Sequence, residues 1–340
     1  MEVKAAMRRI SVVVGVALAS WVVLVACSAS GVGAEGAGVD SEAVLPALEP
    51  VDLGAGEKLR VVATTSIVGD VVAQVGGDLI ELTTLMPPGQ DPHTYEPTAQ
   101  DIAQVEQAQV VFVNGLGLEE GLLNTVESVR GAPLVPVSAG IEPLEAGEGY
   151  HEGEDGEHEH AGADPHTWMD PTNVIVWTGN IAEALAALDP AHANIYRQKA
   201  DAYAGELRDL DAYITERAAE IPPEQRKLVT NHEAFGYFAQ RYGFEVIGTV
   251  YIGAAQLAEP SAGDMARLIQ TIREEGVRAI FIETTVSDAL AQTIAGEIGR
   301  EVGVYTLYTG SLGEPSSGAD SYIRMMRANI DTIVEGLAGP

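Results

Sequence analysis

Two apolar patterns alternate along most of the chain. Short runs rich in Val, Ile, Leu and Thr, too brief for helices, read as buried strands over 59–65, 79–86, 110–114 and 134–137. Between them, residues 67–75, 101–107 and 119–129 carry helical spacing. The second half repeats the scheme, with strands over 227–230, 245–249, 279–282 and 304–307 and helices over 233–242, 261–275, 289–299 and 321–337. Strands alternating with helices predict an α/β protein of two lobes, each with a mainly parallel four-stranded sheet flanked by helices.

The segment between the halves has the strongest helical period. Tyr196, Ala200, Tyr203, Leu207, Leu210, Ile214, Ala218 and Ile221 fall three or four apart, a single apolar stripe. Asp189 stands as N-cap with Pro190 at the first helical position, and Pro222-Pro223 ends the run. A helix over 190–221 spans about 48 Å at about 1.5 Å per residue, a rigid strut between lobes.

Lys4, Arg8 and Arg9 precede a nearly pure apolar stretch over 10–25. Its length falls short of the roughly 20 residues of a membrane span and suits an export signal. It closes on Leu24-Val25-Ala26-Cys27, which resembles a bacterial lipobox. That resemblance implies cleavage before Cys27, lipid on its thiol, and an extracytoplasmic protein anchored to the cell membrane. The expected organisation is a lipoprotein signal peptide over 1–26 and a flexible tether over 27–56. An N-terminal lobe over 57–188 follows, then a linking helix over 189–221 and a C-terminal lobe over 222–340.

Charge and cysteine narrow the chemistry. Nineteen Lys and Arg against 50 Asp and Glu leave a net charge of −31, which excludes general nucleic-acid binding. At 46% hydrophobic and 20% charged, the chain has material for real cores. One cysteine excludes a disulfide framework and any all-cysteine metal site. A metal here would bind His, Asp and Glu.

Two segments share a pattern, Asp91-Pro92-His93-Thr94-Tyr95 and Asp164-Pro165-His166-Thr167-Trp168. In each, a proline stiffens the approach to a histidine, an aromatic is placed to pack on its ring, and a nearby acid is suited to accept the second imidazole N–H. His232 follows the 227–230 strand directly, at the carboxyl end where ligands of open α/β sheets gather. His232-Glu233 does not begin a zinc-protease helix, because position 236 is Gly where that motif needs His.

With these motifs in order, the chain resembles the metal-binding lipoproteins that serve ABC importers of zinc and manganese. The likeness covers about residues 58–338. It includes Gly89–Pro97, Asn114-Gly115-Leu116-Gly117-Leu118-Glu119, Asp164–Pro171, His232–Phe238, Glu259-Pro260-Ser261 and Phe281-Ile282-Glu283. It implies two α/β lobes joined by a rigid helix, metal ligands at His93, His166 and His232, and an ABC permease with its ATPase as partners. Manganese-binding members carry Glu or His at the place of His232 and an Asp within a Thr-Asp-Ser stretch near the end. Here that stretch is Thr309-Gly310-Ser311, so a hard oxygen ligand suited to Mn²⁺ is missing. Three imidazoles with a water or mobile carboxylate suit tetrahedral Zn²⁺. Glu283 is expected as an ion-pair partner or as an acceptor behind a ligand.

The stretch over 148–163 holds His151, His158 and His160 among acids, and no Lys or Arg occurs between Arg130 and Arg197. It reads as a solvated acidic loop or as a weak, exchanging metal collector, and zinc-uptake members resemble this chain in carrying such a loop. The expected function is Zn²⁺ capture by a monomeric, extracytoplasmic lipoprotein, with affinity falling as pH drops through the histidine range near about 6.5. The alternatives are Mn²⁺ or Fe²⁺ import on the same scaffold, a zinc hydrolase, and a surface adhesin. The hydrolase lacks a dedicated general base beyond Glu233.

Overall fold

A computed structural model of the protein describes residues 45–119, 121–122, 132–145, 162–251, 260–284, 288–298 and 301–338. All of them fall in one compact unit spanning 39–340. The signal peptide expected over 1–26, Cys27, the expected tether up to 44, most of the helix expected over 119–129, and His151, His158 and His160 lie outside the described residues.

The first half opens with β1 (Leu59–Ala63), α1 (Ser66–Gly76), β2 (Ile80–Thr84), α2 (Ala99–Gln107), β3 (Val110–Val113) and β4 (Leu134–Pro136). The strands pair in parallel in the order β2-β1-β3-β4. The central strand β3 is buried throughout and β1 at all but Arg60, as expected of strands covered on both faces. Thr65 caps α1 by accepting from the Val68 N–H, and Thr98 with Asp101 forms a capping box on α2.

The second half holds β5 (Lys227–Thr230), α5 (Gly236–Tyr242), β6 (Glu245–Thr249), α6 (Ala262–Glu275), β7 (Ala279–Glu283), α7 (Ala289–Glu297), β8 (Gly303–Leu307) and α8 (Tyr322–Ala338). Its four strands form two parallel ladders, β5-β6 and β7-β8, with β5 beside β7. The lateral order β6-β5-β7-β8 repeats the second-first-third-fourth order of the first half. The expected single four-stranded ladder is divided at that seam. Within the β5-β6 ladder the register shifts between Leu228 and Val229, where β6 carries one extra residue, Ile247.

Two long helices join the halves, α3 (Pro171–Leu188) and α4 (Ala193–Ala218). The sequence reading named only the second. It also placed Asp189 as a cap, whereas Pro190–His192 forms a 3₁₀ turn and the Asp189 carboxylate accepts from His192 Nδ1 (2.7 Å) and Tyr196 Oη (2.9 Å). With those bonds made, the α-helix proper starts at Ala193. It runs about 39 Å at about 1.5 Å per residue, shorter than expected. The predicted stripe from Tyr196 to Ala218 is buried against α1, α3, α5 and α8, elements of both halves. An ion pair from Arg217 to Asp331 (2.8 Å) and another from Arg241 to Asp211 (2.7 Å) tie its far side to α8 and α5.

One apolar cluster runs through the molecule from Leu59 and Phe112 past Trp177 and Tyr196 to Phe281 and Met326. Leu45, Leu48, Val51 and Leu53 pack against it, and the Val51 N–H donates to Leu188 O (2.8 Å). Residues 45–53, assigned by the sequence to a flexible tether, therefore lie on the body, held by four apolar side chains. No helix among the described residues is long and apolar enough to cross a membrane.

Candidate metal centre

Every strand of a parallel sheet ends on the same edge, so loops leaving those edges collect the chain's polar side chains. His93 leaves the first sheet beyond β2, after a Pro87-Pro88-Gly89 turn in which Gly89 takes φ +84°. The Asp91 carboxylate accepts the His93 backbone N–H (2.9 Å) and the Thr94 hydroxyl (3.0 Å), an Asx turn that sets the ring's direction. His166 follows β4 and the isolated bridge between Glu145 and Ala163. Asp164 repeats the turn by accepting the His166 N–H (2.9 Å), and the same oxygen lies 2.7 Å from His166 Nδ1. His232 lies two residues beyond β5, where the Thr230 hydroxyl and the Ala234 N–H both hold its carbonyl. Its Nδ1 bonds Glu283, the last residue of β7.

The three rings converge. His93 Nε2 lies 3.0 Å from His166 Nε2, and His232 Nε2 lies 3.1 Å from the same atom. Ring centroids are 5.0–5.4 Å apart, and the potential ligand atoms all fall within 4.8 Å of one another. His166 and His232 are buried and His93 is half-buried. The Nδ1 partners fix the tautomers. A carboxylate accepts, so Nδ1–H donates to Asp164 in one ring and to Glu283 in the other, leaving lone pairs on both Nε2 atoms. At 3.1 Å these two Nε2 atoms need a proton or a metal cation between them.

The electrostatics are consistent with that demand. Burial and the two neighbouring imidazoles hold His93 well below the usual histidine range. Burial also presses on His232, but the carboxylates of Glu283, Asp91 and Asp164 outweigh it and raise its pKa. Burial works against the Glu283 charge, yet His232 overcomes this and lowers the pKa of the acid. For Asp91, burial prevails over the His93 N–H and the Thr94 hydroxyl, and its pKa rises. Carboxylates thus surround three converging imidazoles, an arrangement that attracts a dication, which must displace the proton that His232 favours.

The expected site residues that lie within the described range each have a definite place, whereas His151, His158, His160 and Cys27 lie outside it. His93, His166 and His232 come together, and Glu283 is the acceptor behind His232, not a remote ion pair. Trp168 packs edge-on against His166 with centroids 5.2 Å apart. Tyr95 departs from expectation: its hydroxyl donates to Asp101 Oδ2 (2.8 Å) and Leu85 O (3.2 Å), and these bonds draw it to the outer side of the first sheet. Gly310 has a steric role that sequence reasoning missed. A Cβ there would lie 2.8 Å from Pro92 Cδ, so the loop beyond β8 meets the His93 loop only because this residue is glycine. The bond from Gly89 N–H to Ser311 Oγ (2.7 Å) closes the same contact, and Trp168 Nε1 donates to Thr309 O (2.8 Å).

Comparison with known proteins agrees with this geometry. The sequence profile of a family described as zinc-uptake complex component A, periplasmic, matches residues 61–336. The manganese-binding lipoprotein MntA of Halalkalibacterium halodurans is 34% identical over 93% of this chain and 97% of its own length. The iron-binding protein YfeA of Yersinia pestis is 36% identical over 87% and 91%. Among solved structures, the periplasmic zinc-binding protein TroA of Treponema pallidum superposes with a TM-score of 0.73 at 33% identity, over 83% of this chain and all of that one. The chain belongs to the zinc-uptake component A family, the extracytoplasmic metal-binding proteins of ABC importers, which carry an ion to a transporter and are not enzymes.

Proposed function

We propose that this protein captures Zn²⁺ with His93, His166 and His232 and delivers it to the permease and ATPase of an ABC importer, held at the membrane by lipid on Cys27. The observation that carries the reading is the pair of carboxylate-bound imidazoles whose Nε2 atoms face each other at 3.1 Å. An ion about 2.0–2.1 Å from each nitrogen is the distance range of zinc–imidazole sites. All three ligands come from one chain, so a single copy completes the site. His151, His158 and His160 would act as weak, exchanging collectors beside it.

Zinc is favoured by the donor set. Three nitrogens face the ion, position 310 offers no carboxylate, and Glu283 is engaged with His232. The likeness to MntA and YfeA supports a second reading, in which the same scaffold carries Mn²⁺ or Fe²⁺. Zinc outranks manganese at most sites on raw affinity, so a simple competition does not discriminate. The test loads each ion alone and records its affinity and its metal-edge X-ray absorption. Tight zinc in a four-coordinate, imidazole-rich shell, with weak manganese, is the expected result. Stoichiometric, tight manganese in a six-coordinate oxygen-containing shell would overturn the choice.

Loading exchanges protons for metal. Without metal, the raised pKa of His232 keeps an imidazolium in the site above about pH 6.5, and zinc must displace that proton. Affinity therefore falls as the medium is acidified through the range above about pH 6.5 in which His232 takes up its proton, by up to about tenfold per pH unit for one displaced proton. His93, already low, adds competition only in stronger acid. Zinc titrations across that window check the sign, and a flat profile contradicts it.

A further inference from the structure

Behind His166 the polar contacts lead to a buried acid that the metal site does not touch. Glu119 is 1% exposed and Asn114 is fully buried. Between them, Gly115 (φ +87°), Leu116 (φ +57°) and Gly117 (φ +79°) are three consecutive left-handed residues. A leucine in that conformation is strained and persists only where its surroundings over-determine it.

Glu119 supplies the constraint. One carboxylate oxygen accepts the Thr64 hydroxyl (2.6 Å) and the Asn114 N–H (2.6 Å), and the other accepts the Gly115 N–H (3.2 Å). Burial raises the pKa of this carboxyl, and those donors only partly oppose it. The strained turn leaves Asn114 at the end of β3, where its amide donates to Gly115 O (2.8 Å) and Pro165 O (2.9 Å). Pro165 is the residue before His166. One residue beyond it, Thr167 Oγ1 lies 2.9 Å from Ser138 Oγ, and the Ser138 N–H donates back to Asn114 O (3.2 Å).

We infer that Glu119 and Asn114 are positioning residues for His166, the acid fixing the strained turn and the amide fixing the backbone that carries the imidazole. The inference rests on the three-imidazole reading and extends it. Gln cannot replace Glu119 in this role, because both carboxylate oxygens accept and an amide NH₂ would face a backbone N–H. Ala at 114 removes the bond to Pro165.

The test measures Zn²⁺ affinity against a chromophoric chelator for wild type, Asn114→Ala, Glu119→Gln, His166→Ala and the Asn114→Ala/His166→Ala double variant. It also records the visible spectrum of Co²⁺-loaded wild type and Glu119→Gln, with circular dichroism on every variant. Both single positioning variants should lose about tenfold or more, the lower end for groups behind a metal ligand. Asn114→Ala should add less than about twofold once His166 is gone, since its effect passes through that ring. The Co²⁺ bands should shift in Glu119→Gln, which a loss of stability alone does not produce. An equal Asn114→Ala loss in both backgrounds, or wild-type affinity and unshifted bands in Glu119→Gln while His166→Ala binds weakly, overturns the inference. If His166→Ala itself binds like wild type, the three-imidazole reading fails and this inference falls with it.

Discussion

The two Asp-Pro-His-Thr-aromatic segments are nearly the same in sequence and are used differently by the fold. In both, the aspartate accepts the backbone N–H of the histidine two residues on at 2.9 Å, so the local turn is written in the five residues themselves. Beyond the turn they part. Asp164 also takes the ring Nδ1–H of His166, Trp168 closes over the ring, and the histidine is wholly buried. Asp91 spends its other oxygen on Thr94, Tyr95 turns away to Asp101, and His93 stays half-buried. A short motif thus fixes where a ligand starts. How firmly its ring is held depends on distant residues, here Asn114 and Ser138 on one side and Ser311 on the other.

The sharpest way to break this comparison is to remove each ring. His166→Ala and His93→Ala should each lower zinc affinity by more than the ~100-fold that outer partners contribute, because each deletes a donor. Their stabilities should differ. His166→Ala leaves the buried Asp164 carboxylate without its imidazole donor, a loss of about 1–3 kcal/mol. His93→Ala deletes a half-buried ring whose aspartate holds only its backbone, and should stay within about 0.5 kcal/mol. Calorimetric titration and thermal unfolding of the metal-free variants measure both quantities. Equal destabilisation would mean that the two copies are held alike.

Much of the frame was legible because it depends on local pattern. The apolar runs marked every strand to within a few residues, and the stripe from Tyr196 to Ala218 marked α4. Asp170-Pro171 and Asp189-Pro190 show the limit of such signals. The same dipeptide starts α3 at the first position, where Asp170 accepts the Thr172 N–H (2.7 Å). At the second, Tyr196 and His192 draw the carboxylate away, and the helix starts later. Glu283 was legible only as an acid at the end of an apolar strand, because its partner His232 lies 51 positions earlier. The rule that ligands gather at carboxyl ends of parallel strands applies to it as much as to His232. Asn114 and Glu119 were marked only as the ends of a motif shared with the family; their role was not legible, since it rests on a carbonyl 51 positions downstream of Asn114.

The finest test of the comparison changes one atom in each aspartate. Asp164→Asn keeps an oxygen for the His166 N–H but cannot serve Nδ1–H with the same charge, so the ring loses its orienting anion. Zinc affinity should fall about 10–100-fold, the range for partners behind a metal ligand. Asp91→Asn also keeps an oxygen for the His93 N–H, and the Thr94 hydroxyl can rotate to accept from the new amide. What it loses is one charge acting through space on the site, an interaction of about 1 kcal/mol or about fivefold in affinity. Salt separates the two mechanisms. A through-space charge near solvent is screened, so the Asp91→Asn loss should shrink as ionic strength rises from about 0.01 to about 1 M. The Asp164→Asn loss comes from a buried hydrogen bond and should persist across that range. If both losses were equally salt-sensitive, Asp164 would be acting as a distant charge, and the difference in how the two rings are held would have no energetic consequence.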